Sequence, residues 1–464
     1  MVELLRAGTA RGRWVLAAAT LASGMALLDG TVVNIALRSI GAELDAPVAA
    51  LQWVVNAYLL SLASLILVGG SLGDRFGRRR VFLVGVAWFA LASALCGLAQ
   101  TPVQLILARL VQGIGAALLT PGSLALIQGS FRRTDRATMI GRWAGLGGIA
   151  AAVGPLLGGW IVDVASWRWI FWINVPLAAG VLVISLRHVP ESRDAEAHRG
   201  FDVPGSLLTA LGLGALTFAL IEARVVAPAY VAVAAAVGVA ALAGFVLHER
   251  TSRAPLVPLS LFGSRVFSVA NGMTLLVYGA LGAMLFFLVL QLQVSTGYTP
   301  LAAGLATVPI TLMMLAFSSR SATLADRIGP RAQMSVGPVL CAAGVLLLSG
   351  VDADSTYLTG VLPGVVLFAA GLVSLVSPLT AAVLAAAPDR LAGTASGINN
   401  AVARTGSLLA VAALPALVGL SGDAYRDPAA FSRAYASAML WCAGLLVLGG
   451  LISFVGLRPG RDDG

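Results

Sequence analysis

Two residues carry charge inside runs of sequence that otherwise contain almost none. Asp29 interrupts LLDGTVVNIAL (27–37), and Arg109 interrupts LARLVQGIGAALLTPG (107–122). Placing a charged side chain inside a bilayer costs roughly 2.5–3.5 kcal/mol on insertion scales, so each needs a partner or a task. A carboxyl inside a span can take up and release a proton as its access to water changes. A guanidinium keeps its charge throughout and must face the protein interior or water. Gln112, three residues after Arg109, shares its helix face. Asp29 is therefore the candidate proton-coupling residue.

Other chemistry is poorly supplied. All 30 basic residues are arginine, and without lysine neither a Walker phosphate loop nor a pyridoxal Schiff base can be built, which argues against ATP-driven pumping. Cys96, Cys341 and Cys442 sit in apolar runs and read as small core residues. His188, His198 and His248 fall in loops without ligand spacing and read as solvated. No metal site, cofactor or Ser/His/Asp set is expected. The glycines of GLGGIA and QGIGAA follow no strand, so a dinucleotide loop is discarded.

The elements that must hold Asp29 and Arg109 are membrane helices. Of 464 residues 58% are hydrophobic and only 11% charged, with a mean hydropathy of +0.91, against about 25% charged in soluble domains. Apolar stretches of about 18 residues or more give fourteen spans, at 14–37, 51–70, 81–99, 104–127, 139–162, 168–186, 204–222, 228–247, 266–290, 300–319, 333–350, 356–378, 394–418 and 434–457. The first resembles a signal peptide, but its apolar run continues past Asp29, which favours an uncleaved span. With both termini in the cytoplasm, Arg38, Arg168, Arg224, Arg426 and Arg433 lie outside, Arg109, Arg142 and Arg404 within spans, and every other arginine inside. The net charge of +9 is then topological, and no nucleic-acid partner is implied. Trp167, Trp169 and Trp172 open span six, where indoles favour the headgroup region.

LGDRFGRRR (72–80) returns as LADRIGPR (324–331), joining spans two and three and then spans ten and eleven. A displacement of eight spans is explained by two homologous six-span halves, 1–187 and 266–464, separated by an inserted pair within 188–265. Transporters built from parallel halves place their substrate between them near the midplane.

Together with GGIAAAVGPLLGGW (147–160) and WRWIFWINVP (167–176), these motifs resemble the signatures of the major facilitator superfamily, specifically its fourteen-span drug:proton antiporters. The resemblance covers nearly the whole chain and is weak only for the substrate. It implies a role for Asp29 in coupling, with Arg109 assisting proton transfer. For the loop of Gly70, Gly73, Asp74, Arg75, Gly77 and Arg78, echoed by Asp326 and Arg327, it implies a latch holding the cytoplasmic side closed; Asp74 would cap span three or pair with an arginine. The GPxxGG set of span five, Gly154, Pro155, Gly158 and Gly159, is then expected to touch the opposite half and control outer closure. Acidic residues found in span thirteen of some relatives are absent here, where Asn399, Asn400 and Arg404 form a polar stripe.

An aromatic, apolar cavity with a few polar groups suits amphipathic cargo. Asn34, Asn56, Tyr58, Gln112, Asn271, Tyr278, Gln291, Asn399, Asn400 and Arg404 are its candidate contacts. The sequence thus points to an all-α integral membrane protein with a major facilitator fold, a monomer in the plasma (inner) membrane, exporting small lipophilic drugs or antibiotics against protons by alternating access. The competing expectations are an exporter of an endogenous secondary metabolite and a multispan membrane enzyme.

Overall fold

The computed structural model describes residues 4–193, 202–252, 254–388 and 391–457. Fourteen of its helical segments are long and apolar enough to cross a membrane, one for each expected span. They comprise α1 (Ala10–Glu43), α2 (Val48–Phe76), α3 (Arg78–Leu98), α4 (Pro102–Ser130), α5 (Arg133–Val164), α6 (Trp169–Trp172), α7 (Asn174–His188), α8 (Val203–Ile221), α9 (Pro228–Thr251), α10 (Arg265–Val294), α11 (Pro300–Ile328), α12 (Pro330–Leu348), α13 (Leu362–Ala385), α14 (Ala392–Leu417) and α15 (Pro428–Gly456). α6 and α7 together make the sixth span, Trp169–His188.

Most helices overrun the apolar stretch that announced them because their ends are capped in polar sequence. Thr101, Thr299 and Asp427 accept hydrogen bonds from the first backbone N–H groups of α4, α11 and α15, each with proline at the first helical position.

Contacts divide the chain into two compact units. The first holds Met1–Ala46, Trp53–Gly214 and Val237–Leu256, and the second Pro47–Gln52, Ala215–Ala236 and Val257–Gly464. Within the first, α1 packs on α4, α5 and α7, and α3 on α4 and α7. Within the second, α10 packs on α13, α14 and α15, and α12 on α13 and α15. Position for position, these are the same five pairings. The inserted helices α8 and α9 are each divided between the units.

Three expectations about the ends of the spans are corrected. Trp167 is 1% exposed and enclosed by protein, its indole N–H donating to Glu43 Oε2 at 2.7 Å while the Arg168 guanidinium lies 4.4 Å over its ring. Trp169, by contrast, is 58% exposed. His188 is stacked on Trp14 with ring centroids 5.4 Å apart, and His248 meets Asp202 Oδ1 at 2.7 Å, so neither is a free loop side chain. His198 lies outside the described residues. Ahead of α1, Leu5 bridges Phe131 with Leu5 N–H donating to Ser130 O at 2.8 Å, which ties the N-terminal segment to the turn between α4 and α5.

Candidate functional site

Helices α1 and α4 place Asp29 and Arg109, 80 residues apart in sequence, in direct contact. Each side chain is 1% exposed. Arg109 Nη1 donates to Asp29 Oδ2 and, at 2.7 Å, to Gln112 Oε1; Gln112 Nε2 donates to Asp29 Oδ1 at 2.8 Å. Both carboxylate oxygens thus have a donor, and Gln112 relays between the two charges. Arg109 Nε donates to Val54 O at 3.1 Å, and the guanidinium lies 4.3 Å from the Tyr58 ring centroid and 5.8 Å from that of Phe171. Such contacts spread the positive charge over a carbonyl dipole and two π faces while excluding water. A buried pair of this kind persists because its lone pairs and protons are satisfied by further hydrogen bonds.

Neutral neighbours complete the site. Cys96 Sγ on α3 approaches Gln112 Oε1 at 3.5 Å, and Tyr58 O–H points to Ala26 O at 3.4 Å. Gln112 and Tyr58, at 0% and 2% exposure, belong to this ionic knot rather than to an open substrate cavity.

Two glycines of the GPxxGG set of α5, Gly154 and Gly158, pack on α1 within their own unit. A Cβ on Gly158 would meet Val32 Cγ1 at 2.4 Å, and one on Gly154 would meet Thr31 Oγ1 at 2.8 Å. Both contacts are on α1, flanking Asp29. Close approach through small residues is how membrane helices gain packing, and here it seats the helix that carries the carboxylate.

In the 70–80 stretch Asp74 does not cap α3, whose first residue follows Gly77 without a side-chain cap. It pairs instead with Arg78 at 2.8 Å. Glu191, just beyond α7, supplies the missing acceptor: its Oε1 takes the Arg79 N–H at 3.1 Å. Gly77 has φ +110 and Gly329, its counterpart in the repeat, φ +80, a region that side chains disfavour. Arg79 Nη2 donates to Leu186 O at 2.7 Å, and Arg331, 252 positions later, donates to Phe454 O at 2.9 Å. The two carbonyls lie near the C-terminal ends of α7 and α15. Gly70 lies 3.8 Å from Pro121 by its added Cβ, and Gly73 is equally unobstructed. Arg75 covers the Phe76 ring at 5.0 Å, Arg327 is exposed, and the Asp326 side chain lies outside the described positions. Pro155 is half-buried and Gly159 buried.

The remaining polar candidates are scattered. Asn399 Nδ2 on α14 donates to Asn271 Oδ1 (3.1 Å) and Thr274 Oγ1 (2.8 Å) on α10. Gln291 is fully buried and donates to Val351 O at 2.8 Å, a packing bond inside the second unit. Asn56 is 0% exposed with no side-chain hydrogen bond among the described residues, and Asn34 Oδ1 is likewise without one. Tyr278 and Arg404 are half-buried, and Asn400 is exposed.

Sequence reasoning missed Cys96, Phe171, Glu191 and, on α3 and α7, Ser93 and Asn174. The one available signal was Glu191, an acid at the end of a span in an otherwise arginine-rich flank.

A family model described as Major Facilitator Superfamily matches residues 19–412. The tetracenomycin C resistance and export protein of Streptomyces glaucescens is 36% identical over 431 residues, covering 90% of this chain and 78% of that protein. The puromycin resistance protein pur8 of Streptomyces alboniger is 34% identical over 460 residues, covering 95% and 90%. Among solved structures, a POT family transporter in complex with a thioalcohol conjugated peptide superposes with a TM-score of 0.72 over 96% of each chain at 16% identity, a likeness of fold.

Proposed function

The chain belongs to the major facilitator superfamily, and from that premise we propose that it is a proton-coupled exporter of small lipophilic drugs or antibiotics. Transport rather than enzymatic chemistry is the business of that family. Relatives named for resistance to tetracenomycin C, puromycin, methylenomycin A and lincomycin support the cargo class. The observation that carries the coupling is the buried Asp29–Arg109–Gln112 knot. A proton on Asp29 cancels the charge that Arg109 balances, so binding and release of that proton are tied to how α1 and α4 pack.

In this reading the chain comprises two six-helix halves and an inserted pair, works as a monomer in the plasma membrane with both termini in the cytoplasm, and alternates access between the halves. The loop of Asp74 and Arg78 acts as the cytoplasmic latch.

The test is proton release from protein reconstituted in liposomes on addition of a panel of dyes, biocides and antibiotics. At least one compound is expected to be transported and to release protons, and Asp29→Asn to abolish the release. Transport of a compound with no proton movement would overturn the proposal.

A further inference from the structure

On its other side Asp29 borders a cavity of about 10 Å³, roughly what one water molecule needs. Leu28 and Val32 of α1, Leu157, Gly158 and Ile161 of α5, and Ile170, Ile173 and Asn174 at the α6–α7 junction wall it. Every wall is apolar except for two groups, the Asp29 carboxyl and the Asn174 side chain. A water in an apolar pocket needs two to four polar partners, and two are what this cavity presents.

Asn174 is held in one orientation. Its Nδ2 donates to Ser93 Oγ at 3.0 Å, and Ser93 Oγ donates to Phe171 O at 2.8 Å. The Ser93 proton is committed to Phe171, so Ser93 must accept from the amide nitrogen. What Asn174 has left is its carbonyl oxygen, an acceptor, and the second hydrogen of its amide. The sixth span is interrupted at Ile173, between α6 and α7. Pro176 lacks the N–H that would bond back to Trp172, which loosens the turn at the level where Asn174 enters the wall. Gly158 contributes to the same wall, and any larger residue there would run into Val32.

We propose that this cavity is a binding site for a single water, held between Asp29 and the Asn174 carbonyl oxygen, through which the coupling proton reaches and leaves Asp29 without passing Arg109. The water donates one hydrogen to Asn174 and the other to the carboxylate. When a hydronium replaces it, one O–H bond breaks, a proton joins Asp29 and neutral water remains; release runs the same step backwards. Asn174 is a positioning residue here, and Ser93 positions Asn174. The proposal rests on Asp29 being the coupling carboxyl.

The experiment uses the full chain in proteoliposomes, comparing wild type, Asn174→Leu, Asn174→Ser and Asp29→Asn. Two readouts are taken: the dependence of export on external pH, and hydrogen–deuterium exchange of the buried carboxyl followed by its infrared C=O band. Leucine keeps the bulk of asparagine and removes the acceptor, whereas serine restores an oxygen and leaves room for water. Asn174→Leu should slow carboxyl exchange on the order of tenfold, the loss of about one ordinary hydrogen bond, and make export demand a lower external pH. Asn174→Ser should recover most of both, and Ser93→Ala should show a milder form of the leucine defect. Wild-type exchange and pH dependence in Asn174→Leu, with Asp29→Asn uncoupled, would overturn the water site alone. Coupled export surviving in Asp29→Asn would overturn the underlying reading instead. If Asn174→Leu fails to fold, an unshifted pH profile in Ser93→Ala refutes the proposal.

Discussion

The seam between α1 and α5 in the first unit and that between α10 and α14 in the second are built alike and used differently. In each, a glycine brings two helices into contact: Gly158 on Val32 in one, and in the other Gly406, whose added Cβ would stand 2.2 Å from Leu275 O. Beside the first lies an ion pair, Asp29 with Arg109, 1% exposed on both sides. Across the second runs a neutral bond, Asn399 to Asn271 and Thr274. Charge confined to a low-dielectric interior makes a site whose energy changes steeply with one proton, whereas an amide network holds at any protonation state. The same helix pairing therefore carries a buried ion pair beside it in the first unit and a neutral amide network across it in the second.

The largest test of that contrast is to remove one charge. Asp29→Asn and Arg109→Met should each destabilise the detergent-solubilised protein by about 3–5 kcal/mol, because each leaves the other group charged and buried. The double variant Asp29→Leu/Arg109→Met should recover most of that loss in thermal unfolding. Independent, additive losses would mean that the pair is not a unit.

Next come the seams themselves. Gly158→Ala and Gly406→Ala should each cost about 1–3 kcal/mol by overpacking, and the two should be similar in chemical unfolding if the scaffolds are equivalent. A much smaller effect at Gly158 would mark the α1–α5 seam as loose. Asn399→Ala, by contrast, should cost only about 0.6 kcal/mol, typical of interhelical hydrogen bonds in membranes. A loss comparable to that of Asp29→Asn would erase the distinction between the seams.

The smallest effect is local and depends on pH. Burial pushes the Asp202 carboxyl up, but the Gly205 N–H and His248, with Glu249 adding to them, hold it below its ordinary 3.8. Ser252 also reaches it, its Oγ donating to Asp202 Oδ2 at 3.4 Å. A carboxyl lowered by folding stabilises fully above that ordinary value and loses its contribution as pH falls through the lowered one. Protection of the amides at the start of α8, taken relative to the unfolded chain at the same pH, should therefore fall as pH drops below 3.8. Asp202→Asn should flatten that response.

How much of this was legible follows from what helical periodicity contains. Length and hydropathy announce a membrane helix almost unaided, so every expected span has its helix. Asp29 and Arg109 stood out because a charge in an apolar run is anomalous in one dimension. Their partnership is a contact between helices, and the pattern says which residues share a face without saying what that face meets. For that reason the contacts that Gln112, Tyr58, Gly154 and Gly158 make inside their own unit were not legible. Trp167 looked interfacial because nothing local reveals that Glu43, 124 residues earlier, takes its N–H. Asn174 was invisible because one asparagine in a tryptophan-rich segment has no pattern to break.

The repeated loop has a consequence in terms of exchange between its copies. The two copies are not identical: Pro330 stands where the first copy has Arg78, so the pairing of Asp74 with Arg78 cannot recur. What both copies retain is the left-handed glycine, Gly77 or Gly329, and the arginine two places on that donates to a carbonyl near the end of α7 or α15. Nor can the copies exchange residues freely, since the Arg78 N–H that proline lacks donates to Ser192 O at 2.9 Å. Both copies thus share the glycine turn and three charged positions, Asp74/Asp326, Arg75/Arg327 and Arg79/Arg331, and differ at the one position where proline removes both a charge and a donor.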